Sequence, residues 1–180
     1  SSAASIELSE KYEKIYAAVG VHPHEVETMT ENDLLCLEEM TKNKKVVAIG
    51  EIGLDYYYDN SPRDAQRHWF IRQLELAKKL DFPVIIHSRD ASQETFDIIK
   101  ESGVRKGVIH CFSGSAQMAA EYVKLGFYIG IGGSLTFKNA HKTLEVVKDT
   151  PIDKILLETD SPYLAPVPMR GKRNNSSYLK

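Results

Sequence analysis

The 180-residue sequence predicts an α/β fold of the (β/α)8 TIM-barrel type. Short apolar segments rich in Val and Ile alternate with segments of helical periodicity. The apolar segments have no polar face, which is typical of parallel strands that helices cover on both sides. His, Glu and Asp residues stand at the carboxyl ends of several strands. A barrel gathers all its strand ends around one pocket, whereas an open sheet gathers only those near its switch point, so this placement favours the barrel.

Six strands alternate with helices along the chain. The strands are predicted at 15–21, 46–52, 83–87, 107–111, 127–131 and 154–158. A helix end is predicted at 5–14, and complete helices at 30–43, 61–80, 91–102, 115–125 and 139–148, with Ser61 as an N-cap and Pro62 at the first helical position. A complete barrel takes roughly 250 residues. We therefore expect residues 1–180 to form a single truncated barrel domain, with the first two of eight strands and the last helix missing.

Composition and charge limit the classes of function. The formal net charge is -2, so the chain lacks the basic field of a non-catalytic DNA-coating protein. The two cysteines lack metal-type spacing and indicate no disulfide framework, and Cys36 is expected to be buried among leucines. No apolar run approaches the roughly 20 residues of a membrane span, and no signal peptide is evident. We expect a cytoplasmic protein with no membrane partner.

Four strand ends carry residues that can bind a metal ion. Glu51 interrupts an apolar strand, His87 and His110 end two later strands, and Asp160 follows the last one. Taken singly, each has a plainer explanation: a structural histidine, a carboxylate paired with a basic side chain, or a cap for the next turn. Taken together, they form the imidazole and carboxylate set that Zn, Mn or Fe takes at hydrolytic sites. Glu158 shares strand parity with Asp160, and we expect it to point inward as well.

Five segments resemble, in family order, the signature motifs of the TatD family of metal-dependent deoxyribonucleases, within the amidohydrolase-type barrels. They are Gly-Val-His-Pro-His at 20–24, Gly-Glu-Ile-Gly-Leu-Asp-Tyr-Tyr at 50–57, Ile-His-Ser-Arg at 86–89, His-Cys-Phe-Ser-Gly at 110–114 and Glu-Thr-Asp-Ser-Pro-Tyr-Leu at 158–164. Each motif is weak alone, but five in order are specific. Family members bind two divalent ions, here Mg, Mn or Zn. The resemblance implies Glu51, His87, His110 and Asp160 as ligands, with Glu51 bridging the ions.

The sequence departs from the family pattern near its beginning. The family also uses an N-terminal His-x-His pair, and none precedes Gly20. His22 and His24 have the same spacing, but they match a different family motif. We interpret His22 as a residue that either supports the metal ligands or faces the substrate, and His24 as structural. The tyrosines at 56–58 are interpreted as loop packing in preference to a base-stacking platform. The segment 170–174 resembles the family too, although Asn-Ser follows it where Glu-Pro is usual.

The resemblance implies hydrolysis of phosphodiester bonds by an exonuclease that acts on DNA ends, with DNA or another phosphodiester as substrate and partner. Asp160 is expected to orient the attacking water and take its proton beside Glu51. Arg89 is the predicted phosphate ligand, and Lys172 and Arg173 either hold a second phosphate or form a solvated basic loop. Two alternatives stay open. One is amidohydrolase-type hydrolysis of a small amide, lactone or base, which the absence of a lysine at the bridging position disfavours. The other is an inactive fragment that acts only as a binding or packing module.

Overall fold

The computed structural model describes residues 2–179. The chain divides into two compact units, the first ending at Gly107 and the second beginning at Val108. Each unit consists of parallel strands that alternate with helices, as the sequence predicts. A single domain over residues 1–180 stays a prediction.

The first unit contains three parallel strands and four α-helices. In chain order they are α1 (Ser2–Lys11), β1 (Ala17–Val19), α2 (Glu31–Met40), β2 (Val46–Asp55), α3 (Arg63–Leu80), β3 (Val84–Arg89) and α4 (Ser92–Ser102). A 3-10 helix, Pro23–Thr28, joins β1 to α2. Strand β2 lies between β1 and β3, with Ala17 opposite Val46 and Ile52 opposite Ile86. Helix α3 packs on β2, and the buried apolar core includes Val19, Ile49, Ile52, Leu54, Phe70, Leu74, Ile86 and Ile99.

Strand β2 continues three residues past its predicted end, because Gly53 serves the strand and not a turn. Gly53 has a φ of 144°, and a Cβ there would collide with the backbone carbonyl of His87 on β3. Only glycine allows the two strands to approach so closely. The extension places Asp55 at the carboxyl end of the strand that also carries Glu51.

Two local predictions are wrong. Helix α3 begins at Arg63 with Pro62 as its N-cap, and the hydroxyl of Ser61 accepts the backbone N–H of Glu27 at 3.3 Å and not a helix N–H. Cys36 is exposed, because the helical period of α2 turns Leu34 and Leu37 inward and leaves Cys36 off that face.

The second unit contains three parallel strands and two α-helices. They are β4 (Gly107–Ile109), which begins at the last residue of the first unit, α5 (Ala116–Lys124), β5 (Tyr128–Ile131), α6 (His141–Asp149) and β6 (Ile155–Leu157). Strand β5 lies between β4 and β6, with Val108 opposite Tyr128 and Ile129 opposite Ile155. Helix α5 packs on β5 and α6, and the buried core includes Ile109, Tyr122, Phe127, Ile129 and Val146. Across residues 2–179, no helix has the length and apolar character needed to cross a membrane.

Candidate metal centre

Three side chains meet at the carboxyl ends of the first unit's strands. His22 follows β1, Glu51 lies on β2 and His87 lies on β3, and one ligand atom from each lies within 4.8 Å of the others. The Nδ1 atom of His87 is 2.9 Å from Oε1 of Glu51, and the Nε2 atom of His22 is 3.9 Å from the same oxygen. Imidazole nitrogens and a carboxylate oxygen are the ligands that Zn and related divalent metals take at catalytic sites. This donor set and its spacing fit such an ion.

A buried carboxylate, Asp55, accepts hydrogen bonds from His87 and from a neighbouring histidine, His24. Its side chain is 1% exposed, and Oδ2 accepts hydrogen bonds from Nε2 of His24 and of His87, each at 2.9 Å. Oδ1 accepts the backbone N–H groups of Tyr57 at 3.1 Å and Tyr58 at 2.9 Å. Burial opposes ionisation of Asp55, but the hydrogen bonds from Tyr58, His24 and His87 outweigh it and lower the pKa to about 2. Asp55 is therefore a fully hydrogen-bonded anion.

The partners of each imidazole determine which nitrogen faces the cluster. An ionised carboxylate can only accept, so Asp55 takes the Nε2 proton of His87 and leaves Nδ1 directed at Glu51. Burial lowers the pKa of His87, but the hydrogen bonds with Glu51 and Asp55 outweigh burial and raise it. In His22, Nδ1 accepts the backbone N–H of His24 at 3.2 Å, so the neutral ring carries its proton on Nε2, the nitrogen that faces Glu51. Burial, together with the charge of His87, lowers the pKa of His22 to about 4, which favours the neutral imidazole that metals bind.

The second unit has a related arrangement. The Nδ1 atom of His110 is 2.9 Å from Oε2 of Glu158, and its Nε2 atom is 3.8 Å from Oδ1 of Asp160. The other oxygen of Glu158 accepts the backbone N–H of Cys111 at 2.5 Å. Gly130 on β5 makes room for this carboxylate, because a Cβ there would collide with it. The inward direction expected of Glu158 is thus observed, and its carboxylate orients His110.

The predicted site residues separate by unit. Glu51 and His87 are in direct contact in the first unit, where His22 joins them. The remaining residues of the predicted metal and substrate set are His110 and Asp160 in the second unit, Arg89 at the exposed end of β3, and Lys172 and Arg173, both exposed in the second unit.

Sequence reasoning did not assign a role to Asp55 and treated His24 only as structural. The available signal was a second carboxylate at the end of an apolar strand, four residues after Glu51. A buried carboxylate requires hydrogen-bond donors, and two histidines follow β1 at a distance where they can supply them. Asp55 and His24 therefore belong to the machinery that orients the candidate ligands.

The chain is similar to known metal-dependent hydrolases. The sequence profile of the family described as TatD related DNase matches residues 1–180. An uncharacterised metal-dependent hydrolase of Bacillus subtilis, YabD, is 51% identical over 178 residues, which cover 98% of this chain and 70% of YabD. The Escherichia coli hydrolase YcfH is 39% identical over 173 residues, which cover 93% of this chain and 63% of YcfH.

The crystal structure of YjjV, a TatD homologue from Escherichia coli, is similar to this fold. The TM-score is 0.89 at 39% sequence identity, and the match covers 96% of this chain and 68% of YjjV. This similarity confirms the predicted α/β fold of the TIM-barrel type. The chain spans about two thirds of the length of these relatives.

Proposed function

Because the chain belongs to the TatD-related DNase family of metal-dependent hydrolases, we propose that it hydrolyses phosphodiester bonds at the ends of DNA with divalent metal ions. The observation that carries this proposal is the cluster of His22, Glu51 and His87, with Arg89 at the exposed end of the same strand as His87. The cluster supplies metal ligands, and Arg89 supplies a group that suits an anionic substrate. The free cysteines suit a reducing compartment, so we propose a cytoplasmic location.

The ligands proposed for two divalent ions, Mg, Mn or Zn, are Glu51 and His87 in the first unit and His110 and Asp160 in the second. His22 has the position of a further ligand, in addition to its predicted role towards substrate. A bound divalent ion supplies a water of lowered pKa and positive charge for the phosphoryl oxygens.

The chain's own residues orient the imidazole ligands and accept a proton during hydrolysis. Asp55 accepts a hydrogen bond from Nε2–H of His87, so the neutral ring would present Nδ1 to a metal ion, and Glu158 accepts a hydrogen bond from Nδ1–H of His110. The side chain of Asp160 is 42% exposed, so water reaches its carboxylate. We propose that this carboxylate accepts the proton of the attacking water.

Substrate phosphates are assigned to exposed basic side chains. The guanidinium of Arg89 presents five N–H donors, which match the two oxygens of a phosphate. Lys172 and Arg173 are exposed and are proposed to contact a second phosphate. Hydrolysis of a small amide or lactone is the weaker alternative, because such substrates give Arg89 no anion to bind, and Glu51 stands where amidohydrolase barrels often use a modified lysine.

The proposal is tested with purified protein that is first stripped of metal and then supplied with Mg, Mn or Zn. Oligonucleotides labelled at the 3′ or the 5′ end would report cleavage and its polarity. Glu51→Gln is expected to abolish metal-dependent cleavage, whereas the matched control Glu27→Gln, an exposed glutamate of the first unit, is expected to cleave normally. Both variants should have the wild-type circular dichroism spectrum. Metal-dependent cleavage that persists in Glu51→Gln would contradict the proposal.

A further inference from the structure

Two aromatic rings and a guanidinium form an exposed surface in the first unit. Tyr57 and Tyr58 are 59% and 54% exposed, and their rings meet edge to face with centroids 4.9 Å apart. The guanidinium carbon of Arg89 lies 4.1 Å from the centroid of Tyr57 and 4.8 Å from that of Tyr58. We call Tyr57, Tyr58 and Arg89 the tyrosine platform.

The tyrosine platform is held in place although it is exposed. The backbone N–H groups of Tyr57 and Tyr58 donate to the buried carboxylate of Asp55. The preceding residue, Tyr56, donates its N–H to the carbonyl of Arg89 at 2.9 Å and its hydroxyl to Glu94 at 2.8 Å. Burial of aromatic rings is favourable, so two rings that a buried network holds open to water are arranged for a ligand.

Within residues 2–179, the charge on the tyrosine platform has no anionic partner. Over residues 2–179, the guanidinium of Arg89 makes no hydrogen bond or ion pair, and its contacts are the two tyrosine rings. By contrast, Arg63, Arg67 and Arg72 on α3 all form ion pairs with carboxylates. Arg89 therefore keeps its donors available for an anion from outside the chain.

The tyrosine platform adjoins the candidate metal centre. The ring centroid of Tyr58 is 5.4 Å from that of His24, which is 4.3 Å from that of His22. His24 and the platform backbone also share the carboxylate of Asp55. A ligand on the platform thus lies beside the side chains that the proposed function assigns to phosphodiester hydrolysis.

We propose that the tyrosine platform binds an unpaired nucleobase of the nucleic-acid substrate by stacking on Tyr57 or Tyr58, while Arg89 binds the adjacent phosphate. Aromatic side chains bind bases of any sequence in this way, because every base has a π face. A base inside an intact duplex has both faces covered by its neighbours, so the ligand is a base at a strand end or in a single strand. This inference rests on the proposed function and adds a site for the base to a site for the backbone.

The test compares two fluorescently labelled oligomers that carry phosphorothioate links to resist hydrolysis. One is oligothymidylate, and the other has the same backbone with tetrahydrofuran spacers in place of bases. Dissociation constants are measured by anisotropy for wild type with metal bound, for Tyr57→Ala/Tyr58→Ala and for Tyr57→Phe/Tyr58→Phe. Tyr16→Ala is the matched control, because Tyr16 is also 59% exposed and has a cation, Lys45, 4.9 Å from its ring centroid, but precedes β1 at the opposite end of the strands.

Alanine substitution is expected to weaken binding of oligothymidylate by roughly 5- to 150-fold, the range for loss of one base stack. The spacer oligomer should bind the alanine variant as it binds wild type, and the phenylalanine variant and Tyr16→Ala should keep the affinity for both oligomers. Equal affinity of wild type for the two oligomers, or an equal loss with both, would overturn the inference. Hydrolysis of a spacer oligomer with ordinary phosphodiester links then shows whether the proposed function survives. If wild type neither binds nor cleaves any oligomer, both fail.

Discussion

Asp55→Asn replaces one oxygen of a buried carboxylate by an amide NH2 group with little change in volume. In wild type, all four hydrogen bonds of this carboxylate are accepted ones. The amide keeps one oxygen for the backbone of Tyr57 and Tyr58. Towards His24 and His87 it presents donors, where both imidazoles already donate. Each of these two bonds must therefore be lost or reversed.

The expected loss of stability follows from the burial of Asp55. Hydrogen bonds to a charged group contribute roughly 1.5–3 kcal/mol each, and water cannot replace one at a side chain that is 1% exposed. Loss of one bond should lower the melting temperature by about 3–12 °C for a domain of this size. To accept from the amide, His87 must move its proton to Nδ1, the nitrogen that faces Glu51. Metal affinity should then fall by roughly 10–100-fold.

Scanning calorimetry measures the melting temperature, and isothermal titration with Mn or Zn measures the metal affinity. Asp59→Asn is the matched control, because it makes the same chemical change four residues later at a side chain that is 41% exposed. Asp59 pairs with Arg63 in solvent, where an ion pair contributes little to stability, and metal affinity should not change. Wild-type metal affinity in Asp55→Asn would refute the assignment of the His87 tautomer to Asp55.

Three further changes test separate parts of the molecule. Arg89→Ala should raise KM for oligonucleotides with a smaller change in kcat, measured at steady state, because it removes a phosphate contact and no proposed metal ligand. Chelation should lower the melting temperature and re-addition of a divalent ion should restore it, since a ligand of the native state stabilises it; no recovery would argue against a bound metal. Tyr56→Phe should cost about 1 kcal/mol near pH 8, from loss of the hydrogen bond to the partly exposed Glu94. Burial and that hydrogen bond raise the pKa of Tyr56. The stability difference between wild type and Tyr56→Phe is therefore complete below the ordinary tyrosine pKa and is lost as pH rises through the raised value, which alkaline denaturation would measure.

The order of strands and helices could be predicted because apolar runs and helical periods are local properties. The end of β2 could not, since glycine and aspartate after Ile52 are typical of a turn, and only the approach of β3 reveals why Gly53 belongs to a strand. The predictions for Ser61 and Cys36 were wrong for a similar reason. A capping residue can be used by another segment, and a residue in an apolar run can lie off the buried face of its helix.

In the candidate site, too, some features could be predicted from the sequence and others could not. Glu51 and His87 could be predicted together because parallel strands end at one edge of a sheet. The separate roles of Tyr56, Tyr57 and Tyr58 could not, because three identical neighbours carry no local signal. In the structure, Tyr56 contacts Glu94, whereas the rings of its two neighbours face solvent. The preference for loop packing therefore describes Tyr56 and not the pair after it.

The spacing of Glu51 and Asp55 along β2 determines how both carboxylates contact His87. Residues four apart on a strand point to the same face, and here the two carboxylates contact opposite nitrogens of one imidazole, that of His87. The ring is thereby fixed in position and orientation. The remaining oxygen of Asp55 fixes the backbone of Tyr57 and Tyr58. One buried side chain thus sets both the direction of a proposed metal ligand and the position of the tyrosine platform.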